Sequence, residues 1–482
     1  MDTRPVLYIV GILLAALGVM MLVPAAVDFG FHDLDWHVFL TTSVATTLVG
    51  LTLLISYRPG KMAGLTLRQT FLLTALSWIL LATFSALPFA FTTLPVTFTD
   101  AFFEAMSGLT TTGSTVLVGL DDAPVGILLW RGILQWIGGV GIIVTAVTVL
   151  PYLRIGGMQL FRTESSDRSD KVLPRISQVT GGILGVYVLL TAVCATLLWS
   201  AGMNPLEALV HAMTTVSTGG YSTSDASIGH FDSALIEMIV VVFMLSGAIT
   251  FTLYLRALKG EPRALWRSRQ VRWFLGIVAI SVVLLSAWLV VIDNFAVLIA
   301  LRLALFHVVS IITTTGYAAA DYNDWGSFAV VLIYFLMFLG GCTGSTSGGL
   351  KIFRLQVIYT LAVTQLRRAF HPHGMFQPTY EDQPVTETIA LSVLGFFFLY
   401  GASFGGLSLL LSLCGLDLVT SLSGAATALA NVGPGLGPVI GPAGNFSSLP
   451  DFAKWVMAFG MLLGRLELVT LLVLVLPSFW RS

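Results

Sequence analysis

The residues best suited to chemistry in this sequence are four short clusters of hydroxyl-bearing residues and glycine. They read Thr110-Thr111-Thr112-Gly113-Ser114, Val216-Ser217-Thr218-Gly219-Gly220, Thr313-Thr314-Thr315-Gly316-Tyr317 and Ala430-Asn431-Val432-Gly433-Pro434. Gly113, Gly219, Gly316 and Gly433 are 106, 97 and 117 residues apart. Backbone carbonyls of several such loops around one axis can replace the hydration shell of a cation, and glycine lets the backbone turn its carbonyls without a Cβ penalty. One Thr-Thr-Gly is an ordinary loop sequence, whereas four at a period of about one hundred residues describe a repeat. The Gly138-Gly139-Val140-Gly141 and Gly433-Pro434-Gly435-Leu436-Gly437 runs superficially resemble dinucleotide fingerprints. Neither follows a strand in a βαβ unit, so helix packing and tight turning explain them better.

Two further features lie between the third and fourth clusters and near the carboxyl end. An apolar run, residues 327–339, leads into Gly340-Gly341-Cys342-Thr343-Gly344-Ser345-Thr346-Ser347-Gly348-Gly349. Gly340, Gly341, Gly344, Gly348 and Gly349 cannot make a comfortable helix, since each costs about 1 kcal/mol relative to alanine, so a flexible intramembrane loop is expected. Arg465 stands near the centre of the apolar run 452–476. A charge there is costly and by default marks a functional interior, and pairing with Glu467 is disfavoured because residues two apart on a helix do not face each other. Glu104, His211 and His307 precede the first three cluster glycines by eight or nine residues. They read as polar anchors behind the clusters more readily than as proton-coupling groups.

These residues need elements to hold them. Of 482 residues, 56% are hydrophobic and 10% charged, and the mean hydropathy is +0.90. That composition excludes an ordinary soluble enzyme and fits an all-α polytopic membrane protein, in which about 20 apolar residues cross the bilayer. Ten spans are expected: 6–27, 37–56, 69–91, 125–150, 179–201, 233–255, 273–293, 327–366 with its interruption, 386–413 and 452–477. The first is long enough to span and is read as part of that series, not as a signal peptide. Cys194, Cys342 and Cys414 lie in apolar runs and suggest neither disulfides nor a zinc cluster. The histidines are scattered with no HExxH or GxSxG pattern, which argues against a membrane enzyme.

Charge fixes the expected orientation. Arg4, the groups at 58–68, 154–175, 256–272 and 351–368, and Arg481 hold all but four of the 24 basic residues and fall on one face. The exceptions are Arg131, Arg302, Lys454 and Arg465. The opposite face is rich in aspartate, including Asp28, Asp35, Asp100, Asp121, Asp225 and Asp321. The positive-inside rule makes the basic face and both termini cytoplasmic. On the acidic face each cluster follows a short apolar stretch, 100–109, 205–216, 300–312 or 417–429, too short to span. The layout is an amino-terminal hairpin, residues 1–60, followed by four span, half-helix, loop, span repeats at 61–155, 156–260, 261–372 and 373–482.

The four clusters, the fourfold layout, the glycine-rich loop and Arg465 together resemble the Trk/Ktr/HKT superfamily of potassium transporters, over essentially the whole chain. The resemblance implies a pseudo-fourfold, potassium-channel-like pore in the bacterial inner membrane, a homodimer, and a cytosolic TrkA-type nucleotide-binding regulatory ring. It implies no cofactor in this chain, with the potassium ion as transported ligand. The filter carries over to Thr111, Thr112 and Gly113; Ser217, Thr218 and Gly219 or Gly220; Thr314, Thr315 and Gly316; and Asn431, Val432 and Gly433. Glycine at 113, where sodium-permeable members carry serine, implies preference for potassium. The 340–349 loop and Arg465 correspond to the family's gate. Channel-like conduction and proton- or sodium-coupled alternating access both remain open at this point.

Overall fold

A computed structural model of the chain describes residues 2–59, 65–148, 172–381 and 383–481. Lys61, Arg154, Arg162, Arg168 and Lys171, counted above on the basic face, lie outside the described residues.

Among the described residues, seven helices are long and apolar enough to cross a bilayer: Arg4–Phe31, Trp36–Ser56, Leu67–Phe91, Val125–Ala146, Gln178–Ser200, Arg269–Val291 and Glu387–Leu413. Local sequence sets their starts. Thr66 accepts from the Gln69 amide while Gln69 accepts from the Thr66 amide, a reciprocal cap opening Leu67–Phe91. Thr386 caps Glu387–Leu413 in the simpler way, accepting from the Ile389 amide.

Two expected spans are not straight. The segment read as 233–255 is Ala234–Ala248 followed by Phe251–Leu258, bent by 96°. The segment read as 452–477 is Asp451–Arg465 followed by Val469–Val475, bent by 115°. Arg465 therefore ends a helix, and does not stand mid-span; Glu467 and Leu468 turn the chain with φ of 60° and 48°. The 327–366 segment is interrupted as expected, into Gly326–Met337 and Ile352–Phe370.

The amino-terminal hairpin closes through small residues. Gly11 and Gly18 on the first helix meet Gly50 and Ser43 on the second, and Ser43 donates to the Gly18 carbonyl at 2.6 Å. Such contacts let helix backbones approach where no hydrophobic drive separates protein from lipid. Two aspartates tie the hairpin to the first repeat: buried Asp28 accepts from the Gly126 amide at 2.5 Å, and Asp35 from the Thr92 hydroxyl at 2.5 Å. Both were counted above as face charges, yet both are consumed as internal hydrogen-bond acceptors.

Four short helices, Phe98–Leu109, Pro205–Val216, Val297–Ile312 and Leu418–Ala430, lead into the four clusters. Thr97 and Asn204 open the first two with reciprocal caps to Asp100 and Glu207, and Asp417 caps the fourth. These half-helices are buried along most of their length, which is where non-spanning backbone is tolerated in a membrane.

Candidate functional site: a ring of four glycine turns over a buried loop

Each half-helix ends in the same turn. The Thr112 amide donates to Ser107, Gly219 to Thr214, Thr315 to Ser310 and Val432 to Thr427, at 2.8, 2.8, 2.9 and 3.1 Å. This six-to-one bond closes a helix over one residue in the left-handed region. That residue is Thr111, Thr218, Thr314 or Asn431, with φ of 52°, 52°, 59° and 56°. Asparagine tolerates the conformation, but a β-branched threonine there is a genuine outlier costing on the order of 1–3 kcal/mol. Its recurrence in three repeats marks a strained, over-determined site.

Two residues further on, Gly113, Gly220, Gly316 and Gly433 also have positive φ, of 91°, 80°, 80° and 112°. The register is thereby fixed in the second repeat: Gly220, not Gly219, is the equivalent glycine, and Thr218 is the equivalent of Thr111. In this register Ser217 aligns with Thr110, one position before the turn.

The four turns close on one another. A Cβ on Gly113 would overlap the Gly219 carbonyl, one on Gly220 that of Thr315, one on Gly316 that of Val432, and one on Gly433 would lie 2.9 Å from that of Thr112. Each glycine thus packs against the carbonyl of the next repeat, and the fourth returns to the first. A cavity of about 250 Å³ opens on the acidic face of this ring, and all four glycines line it. Asp225 also lines it and accepts from the Gly119 and Leu120 amides at 2.8 and 3.2 Å. Beside it, a hydrogen bond from Ser224 holds the Asp121 carboxyl below the usual carboxylate range, so the rim is negative.

Polar side chains brace the ring from behind. Glu104 pairs with Arg131 at 2.8 Å and accepts from Thr115 and the Val116 amide, tying the first half-helix to the segment after Gly113. Arg131 also donates to the Ser222 carbonyl at 2.6 Å and lies 4.0 Å from the centre of the Tyr221 ring. Arg131 is thus a half-helix contact, buried to 1% exposure, and not an interfacial side chain. His211 bonds the Glu207 carbonyl and Ser222 hydroxyl at 2.8 and 3.0 Å. His307 bonds the Leu303 carbonyl at 2.8 Å, and its other nitrogen lies 3.3 Å from the Ala319 and Ala320 amides. With both ring nitrogens engaged, each histidine is an anchor between half-helix and return segment. Sequence reasoning missed Gln135, which donates to the Gly219 carbonyl at 2.7 Å and accepts from the Tyr221 amide at 3.0 Å. Its signal was present: Arg131 and Gln135 are polar residues four apart in an apolar helix, and so share a face.

Under the ring lies the glycine-rich loop, buried from Gly340 to Gly348 with Gly349 half-buried, and packed against its surroundings. Gly340 and Leu350 bond across its neck, the Gly340 amide donating to Leu350 at 2.9 Å. The Gly348 amide donates to the Thr314 hydroxyl at 2.7 Å, and Thr218 and Thr346 hydroxyls are 3.1 Å apart. The loop therefore bonds the very threonines that carry the strained turns. A side chain at Gly348 would run into the Ala430 carbonyl. Gly341, Gly344 and Gly349 complete the loop; the Phe251 amide donates to Gly344 at 3.0 Å.

Arg465 is 2% exposed and donates through Nη1 to the Thr346 carbonyl at 2.9 Å. Its Nε and Nη2 have no protein partner among the described residues. Arg465 borders a cavity of about 20 Å³, room for roughly one water, shared with the loop and with Lys351 and Glu467. Lys351 and Arg354, counted above as loop charges, are buried as well. Lys351 donates to the Ser347 carbonyl, and Arg354 pairs with Glu467 at 2.5 Å and stacks 3.7 Å from the Phe396 ring centre. Arg465 is thus one of several buried cations near the loop, and Glu467 is committed to Arg354. The remaining exceptions are also paired: Arg302 with Glu237 and Lys454 with Asp100, both at 2.6 Å.

The family model described as "TrkH: Cation transport protein" matches residues 36–482. The chain is 45% identical over 481 residues to the Trk system potassium uptake protein TrkI of Halomonas elongata, covering 99% of this chain and 97% of that protein. It is 39% identical over 488 residues to TrkH of Escherichia coli K12, covering both in full. Among solved structures, that of the potassium transporter TrkH from Vibrio parahaemolyticus superposes with a TM-score of 0.92 at 38% identity, over 100% of both chains. With its all-α polytopic membrane fold, the chain belongs to the TrkH family of cation transport proteins and is a transporter, not an enzyme.

Proposed function

We propose that this chain carries potassium across a bacterial inner membrane, through the ring of glycine turns, as one component of a Trk system. The observation that carries the reading is the closure of four equivalent turns, each glycine packed on the next repeat's carbonyl. Such a ring offers backbone oxygens in place of water and draws selectivity from their number and spacing. The filter residues are Thr111 to Gly113, Thr218 to Gly220, Thr314 to Gly316 and Asn431 to Gly433, with Ser217 supporting the second turn. The negative rim at Asp121 and Asp225 concentrates cations, and a membrane potential supplies about 2.3 kcal/mol per charge for each 100 mV.

The loop at 340–349 closes the path beneath the ring, and Arg465 adds a fixed positive barrier while holding Thr346. A cytosolic nucleotide-binding ring acting from the basic face, and a homodimeric assembly with cytoplasmic termini, complete the reading. The test is flux in liposomes with potassium, rubidium and sodium, with and without a proton gradient. Serine at position 113 cannot occupy the space next to the Gly219 carbonyl without displacing it, so Gly113→Ser should lower the potassium-to-sodium flux ratio by about tenfold, corresponding to about 1.4 kcal/mol. An unchanged ratio would remove Gly113 from the filter. Flux that appears only with a proton or sodium gradient would favour alternating access instead.

A further inference from the structure

The basic face holds a further cavity, a cleft of about 800 Å³, which the ring and loop do not use. It forms where Ala234–Ala248 gives way, at its 96° bend, to Phe251–Leu258, before the short helix Arg263–Arg267 and the start of the Arg269–Val291 span. Arg256, Arg263, Arg267 and Arg269 line it against Glu261 and Glu381. Arg256, Arg269 and Glu381 have interactions within the protein, whereas the cleft's net charge remains positive. Arg263 and Arg267 are exposed. The helices that build the cleft also expose Leu258 by 68% and Trp266 by 71%. A span begins at Arg269, so the cleft sits at the depth where apolar helices end, the level of lipid headgroups, where tryptophan and basic residues collect.

We infer that this cleft binds the phosphate of an anionic phospholipid headgroup and that the bound lipid steadies the anchor of the 340–349 loop. Guanidinium forks match phosphate oxygens, and exposed apolar side chains beside them suit acyl chains better than water. The cleft's inner wall makes the connection to the loop. Thr250 and Gln270 line it, and both hold Thr343: the Thr250 hydroxyl donates to the Thr343 carbonyl at 2.7 Å, and the Thr343 amide donates to Gln270 at 3.0 Å. Drawing the basic helices together over a phosphate fixes the bend that carries Thr250, and with it the blocked position of the loop. The regulatory half of this inference rests on the proposed transport function; the binding half does not.

The test uses the full chain with the double variant Arg263→Gln/Arg267→Gln and its charge-keeping partner Arg263→Lys/Arg267→Lys. Native mass spectrometry with phosphatidylglycerol and phosphatidylcholine in competition should show the wild type preferring phosphatidylglycerol by about tenfold, the glutamine variant by less than about twofold, and the lysine variant close to wild type. Equal retention of both lipids by the wild type, or full preference in the glutamine variant, would overturn the site. Displacement of phosphatidylglycerol by millimolar inorganic phosphate alone would mark a soluble-phosphate site and overturn the headgroup reading. In vesicles containing phosphatidylglycerol, the glutamine variant should leak potassium faster than wild type, while in pure phosphatidylcholine the two should match. Faster leak in both membranes would mean that the arginines act without lipid, and would overturn the regulatory half. Headgroup binding with no potassium flux in any protein would count against the transport reading and leave the binding result standing.

Discussion

Glu104 and Arg131 illustrate why a buried charge in this chain is a constraint on the ring. Their 2.8 Å pair sits fully inside the protein and reaches the segments after both Gly113 and Gly220. Removing one partner strands the other, which typically costs about 3–5 kcal/mol. Glu104→Ala should therefore lower resistance to denaturant unfolding in detergent by that order, while Glu104→Gln, which keeps the hydrogen-bonding shape, should lose less. Equal losses would show that charge compensation is not what Glu104 supplies. Arg465 is the contrasting case, since among the described residues Nε and Nη2 lack protein partners and Nη1 alone is bonded, to Thr346. Arg465→Ala removes both the positive field and one loop tether, so potassium flux should rise several-fold at unchanged expression. Equal or lower flux from folded protein would count against a barrier role.

At the scale of elements, the loop 340–349 is more tightly held than its glycine content suggests. Sequence predicts a break in the helix there because five glycines in ten residues oppose it. The hydrogen bonds to Thr218 and Ala248 come from the second repeat, and that to Thr314 from the turn after the third half-helix, so none could be read from the loop itself. Deleting residues 343–347 removes the contacts of Thr346 and of Thr343 together, so the variant should conduct with less regulation than wild type. Intact closure, measured as potassium flux in liposomes, would refute the gate assignment. The two bent segments have the same lesson. Hydropathy reports only that 233–255 and 452–477 are apolar, and carries no sign of a 96° or 115° turn. Gly464, where a Cβ would run into the Leu429 carbonyl, and Glu467 and Leu468, with positive φ, are the local marks of the second bend.

Across the whole molecule, the sequence by itself determined the membrane class, the fourfold repeat and the positions of the half-helices, because these rest on periodic hydropathy, length and a recurring motif. It placed the observed Pro205–Val216 at 205–216 and the other three half-helices within three residues. It left open whether Gly219 or Gly220 belongs to the ring, since both are glycines and spacing varies between repeats. Tertiary structure decided that through backbone dihedrals and the carbonyl against which each glycine packs. It also decided which charges are surface features. Asp28, Lys351 and Arg354 look like loop residues in the sequence, yet all three are buried and bonded. Charge counting along the chain gives the side on which a residue falls, but only the approach of distant segments, such as Arg354 to Glu467, says whether that charge faces water or a partner.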